Sequence, residues 1–177
     1  MAPPRLNPNL ATVVIGASLH LITTAASAQV RVLNYNVAGL AGDTTALRDV
    51  LAEAAADNTR GFAVAPAALV FQEVHEQDIS SLADVSADAL PDDDYVLATY
   101  TTSPAEDGAG GGQALFFRSG FLVEVVADHL DIPTGAGRNA DRWRLRLAGY
   151  DSPNAGFYLY SAHLKAGDTP QDQEARL

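Results

Sequence analysis

Three apolar runs, far apart in the chain, each end in a different polar side chain. Val30-Arg31-Val32-Leu33-Asn34-Tyr35-Asn36 ends in an amide. Ala68-Leu69-Val70-Phe71-Gln72-Glu73 ends in a carboxylate, and Phe157-Tyr158-Leu159-Tyr160-Ser161-Ala162-His163 ends in an imidazole beside Lys165. Short apolar runs rich in β-branched and aromatic residues, bounded by turn residues, read as buried strands. Three strands that end in Asn, Glu and His can bring those groups together at one rim of a sheet. Asn36, Glu73 and His163 are therefore candidates for one polar cluster at a rim. Amide oxygen, carboxylate and imidazole suit a hard cation and a phosphate.

Between these runs the pattern alternates strand and helix, then changes to consecutive strands. Strands are expected at Val30–Asn36 and Ala67–Gln72. Asp43 is suited to cap a helix that places Leu47, Val50, Leu51, Ala54 and Ala55 on one face. A second helix is expected near Gln77–Leu90. Tyr95–Tyr100, Trp143–Leu147 and Phe157–Ala162 read as further strands. Gln113–Arg118 and Phe121–Asp128 read as a hairpin around Ser119-Gly120. Thr169-Pro170 reads as a helix start, because proline fits the first helical position. The glycine-rich stretch Pro104–Gly112 is a loop. It lacks the Gly-Lys-Ser/Thr ending of a phosphate loop and does not run into a helix.

Residues 1–28 carry one basic side chain, Arg5, then an apolar run that closes on Ala26-Ser27-Ala28. That is the form of an export signal, so residues 29–177 are the expected mature domain and the expected location is secreted or periplasmic. A retained membrane anchor is the alternative, but Gly16, Ser18, His20, Thr23 and Thr24 dilute the run. Cleavage removes Arg5 and no acid. The whole chain has 11 basic and 22 acidic side chains and a net charge of −11, so the mature one has 10 basic and a net charge of −12. Such a surface repels polyanions and disfavours tight non-specific nucleic-acid binding, although a local divalent cation can reverse the field at a site. With no cysteine, the chain has neither disulfides nor a zinc-thiolate site.

Each candidate also has a plain structural alternative. Glu73 can simply open the next loop, and Asn36 can make turn hydrogen bonds, as asparagine often does. A histidine near a strand end is often a satisfied structural residue. His20, His75 and His129 stand in weaker contexts. Arg138 and Arg142 precede the Trp143 strand, and either can clamp a phosphate or solvate an edge.

Taken in order, Val32-Leu33-Asn34-Tyr35-Asn36-Val37, Leu69-Val70-Phe71-Gln72-Glu73-Val74, Gly112-Gln113-Ala114-Leu115-Phe116-Phe117-Arg118 and Ser161-Ala162-His163-Leu164-Lys165 resemble the endonuclease/exonuclease/phosphatase (DNase I-like) superfamily. The resemblance implies an α+β fold, a four-layer α/β/β/α sandwich of two mixed sheets with helices outside. It implies that Asn36 and Glu73 bind a divalent metal, Mg2+ or another such as Mn2+ or Ca2+. His163 would contact the scissile phosphate, and an arginine near Arg142 would support substrate binding. The reaction implied is metal-assisted hydrolysis of a phosphate ester, nuclease-like, with nucleic acid a possible substrate and lipid or sugar phosphates open. Asn34 stands where the family commonly has a small hydroxyl residue. The family's Gly-Asp-x-Asn segment and late Asp-His segment have no counterpart here, since Gly167-Asp168 runs into Thr169-Pro170. The chain is therefore expected to be the front part of such a domain and inactive alone. A non-catalytic secreted binding domain on the same sandwich is the alternative.

Overall fold

The computed structural model describes residues 30–59, 64–102, 111–134 and 138–163, with the isolated positions 169, 170 and 173. The expected signal segment lies outside them. Among the described residues, eight strands form two sheets. The first sheet has the order β1-β2-β4-β3, built from β1 (Val32–Asn36), β2 (Ala68–Val74), β3 (Tyr95–Leu97) and β4 (Gly112–Arg118). β1 runs parallel to β2, and the other pairs are antiparallel. The second sheet is antiparallel throughout, where a mixed one was expected. Its spine is β7 (Asn139–Leu147). β5 (Leu122–Glu124) and β6 (Leu130–Pro133) follow each other along one edge of β7, and β8 (Gly156–Ala162) pairs along the other.

Up to Gln72 of β2, the two faces of the first sheet follow alternation. Leu69, Phe71, Ala114 and Phe116 face α1 (Thr44–Ala56) and α2 (Ile79–Ala89), packing with Leu47, Leu51 and Leu82. Ala68, Val70, Leu115 and Phe117 face the other way and pack with Leu122, Trp143 and Leu145 of the second sheet. Strands buried on both faces read as continuous apolar runs, which is why β2 and β4 stand out in the sequence. Trp143 is fully buried between the sheets, and its Nε1–H donates to the Thr99 carbonyl at 2.8 Å. The layers are thus helix, sheet, sheet. Among the described residues no helix covers the outer face of the second sheet, so the expected fourth layer is not among them.

Local chemistry explains the helix ends. The Asp43 carboxylate accepts from Thr45 N–H at 2.8 Å, the expected cap of α1. At the other end Arg31 donates to the carbonyls of Ala54 at 2.6 Å and Ala55 at 3.5 Å. A cation on the last carbonyls also complements the helix dipole and ties α1 to the start of β1. At the expected helix start Thr169-Pro170, Gln173 N–H donates to the Thr169 carbonyl at 3.0 Å.

One expectation is overturned. β4 and β5 are joined by a tight turn, Phe121 N–H donating to the Arg118 carbonyl at 3.0 Å, yet they do not pair. β4 belongs to the first sheet and β5 to the second. Leu122 is wholly buried beside Trp143 and Leu145, so burying it takes the chain across the interlayer space. The expected strand Phe121–Asp128 is cut to Leu122–Glu124, followed by a 3-10 turn and then β6, a strand not read from the sequence.

Candidate active site

Glu73 owes its position to one irregularity. By alternation along β2 it would follow Leu69 and Phe71 onto the helix face and be buried under α1 and α2. Instead the ladder to β4 slips: Gln72 faces Gln113, Val74 faces Gly112, and Glu73 is the extra residue of a β-bulge. Its φ is +56°, a left-handed conformation unusual for glutamate. Val74 takes the place in the helix-side core, and Glu73 turns to the rim. Gly111 makes room for this. Its φ is +58°, and a Cβ there would stand 2.6–2.7 Å from the backbone of Val74. The Val74 carbonyl accepts from the Tyr100 hydroxyl at 2.8 Å.

Two amides bring the second sheet to the same rim. Gln72 Nε2 donates to the Ala162 carbonyl at 3.0 Å, and Ser161 Oγ bonds Gln113 Oε1 at 2.6 Å. The latter pair is buried, where an unmet polar group would cost roughly 1–3 kcal/mol, so it holds the end of β8 against the first sheet. His163 follows immediately. Its Nδ1 lies 3.2 Å from Glu73 Oε1, and its Nε2 lies 3.4 Å from Asn36 Nδ2. Asn36, Glu73 and His163 are therefore one cluster, although 127 residues separate the first from the last.

The fourth member is Arg138, whose Nη1 contacts His163 Nδ1 and lies 3.9 Å from Glu73 Oε1. Arg142 is elsewhere. Trp143 and Leu145 point inward from β7, so Arg142, Arg144 and Arg146 point outward. The Arg142 guanidinium lies 5.1 Å from the Tyr158 ring centroid, and its Nη2 donates to the Asp128 carbonyl at 3.2 Å. The arginine that reaches the cluster is Arg138, not the expected Arg142. The same alternation in Arg142-Trp143-Arg144-Leu145-Arg146 is a signal for this in the sequence. Gln72, Gln113 and Ser161 have no such signal, because their partners lie in the other sheet.

The electrostatics are those of a small, partly enclosed network. Side-chain exposure is 18 % for His163 and Arg138 and 23 % for Glu73. Burial lowers the His163 pKa below 6.5, the Arg138 charge lowers it further, and Glu73 acts in the opposite direction. A guanidinium only donates. While Arg138 holds Nδ1, the imidazole is neutral with its proton on Nε2. Asn36 Oδ1 accepts from Ala38 N–H at 2.8 Å, which leaves that oxygen a second lone pair. The donor set fits magnesium, which takes one or two protein carboxylates with oxygen partners and keeps its remaining waters. Among the described residues no group of three or more acidic or histidine side chains is placed to hold a metal.

The other described histidines do other work. His75 packs on Gly39 and bonds Asp78 Oδ2 at 3.1 Å. His129 lies against Trp143, its ring centroid 5.9 Å away. Asn34 is exposed on β1, two residues before Asn36 and on the same face.

No family model matches the sequence, and no curated protein does. Among solved structures, the chain is similar to an endonuclease/exonuclease/phosphatase family protein from Bacteroides thetaiotaomicron. The TM-score is 0.41 at 15 % identity, covering 74 % of this chain and 49 % of that one. The chain thus spans about half the length of that structure.

Proposed function

We propose that the rim cluster is the phosphate site of a secreted, divalent-metal-dependent phosphoesterase that hydrolyses phosphate esters, nuclease-like in cleaving a phosphodiester. The observation that carries this is the convergence of one carboxylate, one amide, one imidazole and one guanidinium from β1, β2, the start of β7 and the end of β8. Glu73 and Asn36 would hold the ion, which when bound polarises the phosphoryl oxygen toward attack by water. Arg138 has donors in a fork that matches two phosphate oxygens. A bound phosphate gives Arg138 a partner in place of Glu73 and frees that carboxylate for the ion. His163, neutral at pH 7, donates from Nε2 to a phosphoryl oxygen and stabilises charge that builds there. The Glu73 bulge and the two interlayer amide bonds fix these groups relative to one another before substrate arrives. Export rests on the residue 1–28 pattern. Among the described residues no helix is long and apolar enough to cross a membrane.

With no group assigned to activate water, this chain alone is expected to be inactive, so the experiment is magnesium-dependent binding of inorganic phosphate to the purified protein, with chelator as control. Glu73→Gln is expected to weaken that binding about tenfold or more, the scale of losing a charge-assisted contact of about 1.5–3 kcal/mol. Equal binding in chelator, or by Glu73→Gln, would overturn the proposal. A second reading, a phosphate-binding domain without catalysis, is favoured by one observation. The Arg138 guanidinium already lies 3.9 Å from Glu73 Oε1 and offsets its charge without an ion. Phosphate binding that survives chelation, with no turnover, would select it.

A further inference from the structure

Next to the cluster, on the helix side of β1, lies a cavity of about 290 Å³. Asn36 belongs to both. The walls are largely apolar, with Tyr35, Leu40, Ala46 and Val50 among the lining residues and Asp43 the one acid among them. Tyr35 and Val50 are 41 % and 40 % exposed, a large apolar surface to leave open on two facing elements. The wall is preformed. Ala38, Gly39 and Leu40 run consecutively at φ of +48°, +63° and +50°, although left-handed residues normally occur singly. Asn36 Oδ1 holds the first of them through Ala38 N–H. His75 packs so closely on Gly39 that a Cβ there would stand 2.6 Å from the ring. Strain of this kind persists only where the surroundings enforce it, and it concentrates at ligand sites.

We propose that this cavity is the alcohol-side subsite of the phosphoesterase. It takes a single uncharged apolar ring carried by the phosphate ester, and it disfavours an alcohol that brings further phosphates. The inference rests on the reading of the rim as a phosphate site. Contiguity through Asn36 places the ring's attachment point beside the phosphate. The volume suits one ring system and is too small for a protein helix. Among the described residues that line it none is basic, and the Asp43 carboxylate is committed to capping α1, so a second anion would meet an acid and no counter-charge. The net charge of −11 acts in the same direction against a long polyanion. Ring burial between Tyr35 and Val50 would supply affinity by apolar contact, the usual division of labour in a small-molecule pocket.

The test is titration of the whole protein, followed by backbone amide signals, with three probes: inorganic phosphate, phenyl phosphate and benzyl alcohol. Phenyl phosphate is expected to bind about tenfold more tightly than phosphate, equivalent to ~1.4 kcal/mol. Val50→Gln and Tyr35→Ser, both at exposed positions, are each expected to remove that gain while leaving phosphate affinity unchanged. Equal binding of the two anions by the unsubstituted protein overturns the proposal, as does a gain that survives both substitutions. A change of oligomeric state in Val50→Gln also overturns it, since the face would then be a contact between copies. Benzyl alcohol separates the two levels of inference. If it shifts the Tyr35 and Val50 signals while no phosphate binds, the ring site stands and the phosphoesterase reading falls. If neither ring-bearing probe shifts them, the ring site falls.

Discussion

Gly111→Ala tests whether the β-bulge positions Glu73. Gly111 sits at φ +58°, where any side chain bears the left-handed penalty of roughly 1–2 kcal/mol. Its new Cβ would also stand 2.6–2.7 Å from C, O and N of Val74, against the 3.5–4.0 Å of an ordinary carbon contact. Backbone cannot rotate away as a side-chain tip can, so the bulge must shift by about 1 Å. That shift breaks the Tyr100–Val74 hydrogen bond, worth about 0.5–1.5 kcal/mol. The expected cost is about 1.5–3.5 kcal/mol, a large part of the roughly 5–15 kcal/mol that holds a typical domain together. Glu73 immediately precedes Val74, and a misplacement of about 1 Å can cost roughly 100-fold in rate. Urea unfolding followed by Trp143, the chain's single tryptophan and fully buried, measures the first effect. Magnesium affinity of the folded variant measures the second. Gly120→Ala is the control, because a Cβ there meets nothing within 4 Å and no positive φ is involved. Stability of Gly111→Ala within about 0.5 kcal/mol of the unsubstituted protein, the range of an ordinary surface change, would refute the reasoning.

Two further outcomes follow from the same cluster. His163 is expected to titrate below 6.5, higher in Arg138→Ala and lower still in Glu73→Gln, as read by NMR. Its folded pKa is depressed, so the stability it contributes is complete above the unfolded value of 6.5 and is lost as pH falls through the folded value. His163→Gln should therefore lose less stability on acidification than the unsubstituted protein, and an equal or greater loss would contradict the assigned shift. Arg138→Ala should weaken phosphate binding about tenfold or more, as loss of a charge-assisted contact of 1.5–3 kcal/mol requires, whereas Arg142→Ala should change it less than about twofold. Equal effects in an equilibrium binding assay would return Arg142 to the site.

What the sequence makes legible is whatever alternation and local chemistry decide. The Leu69/Phe71 and Ala68/Val70 faces, the Asp43 cap, and the strand ends at Asn36, Glu73 and His163 are all local. Ser119-Gly120 carries a real turn signal between β4 and β5, while the decision not to pair lies with Leu122. Only its distant partners Trp143 and Leu145 pull the chain into the other sheet. β6 carries little signal in the sequence, because Leu-Asp-Ile-Pro is short and ends in a residue that cannot donate to a ladder. Arg138 and Arg142 were separable in principle, since Trp143 must point inward and forces Arg142 out.

The position of Glu73 is the deeper case. Alternation extended through Gln72-Glu73-Val74 predicts a carboxylate under the helices and a valine between the sheets. The fold inverts both with one extra residue. Without the bulge, Glu73 would be a buried charge among Leu69, Phe71 and Leu82, a cost of several kcal/mol after relaxation. With it, the charge reaches His163 and Arg138, and Val74 completes the helix-side core. A regular strand is therefore the higher-energy choice for this sequence, and the irregularity is forced by the same residue that it positions. The left-handed turn after Asn36 repeats the pattern. Its amide oxygen holds Ala38, and the enforced turn in turn shapes the cavity beside the site. Local rules fail at both strand ends where the polar groups gather, as expected where a fold trades regularity for a preorganised cluster.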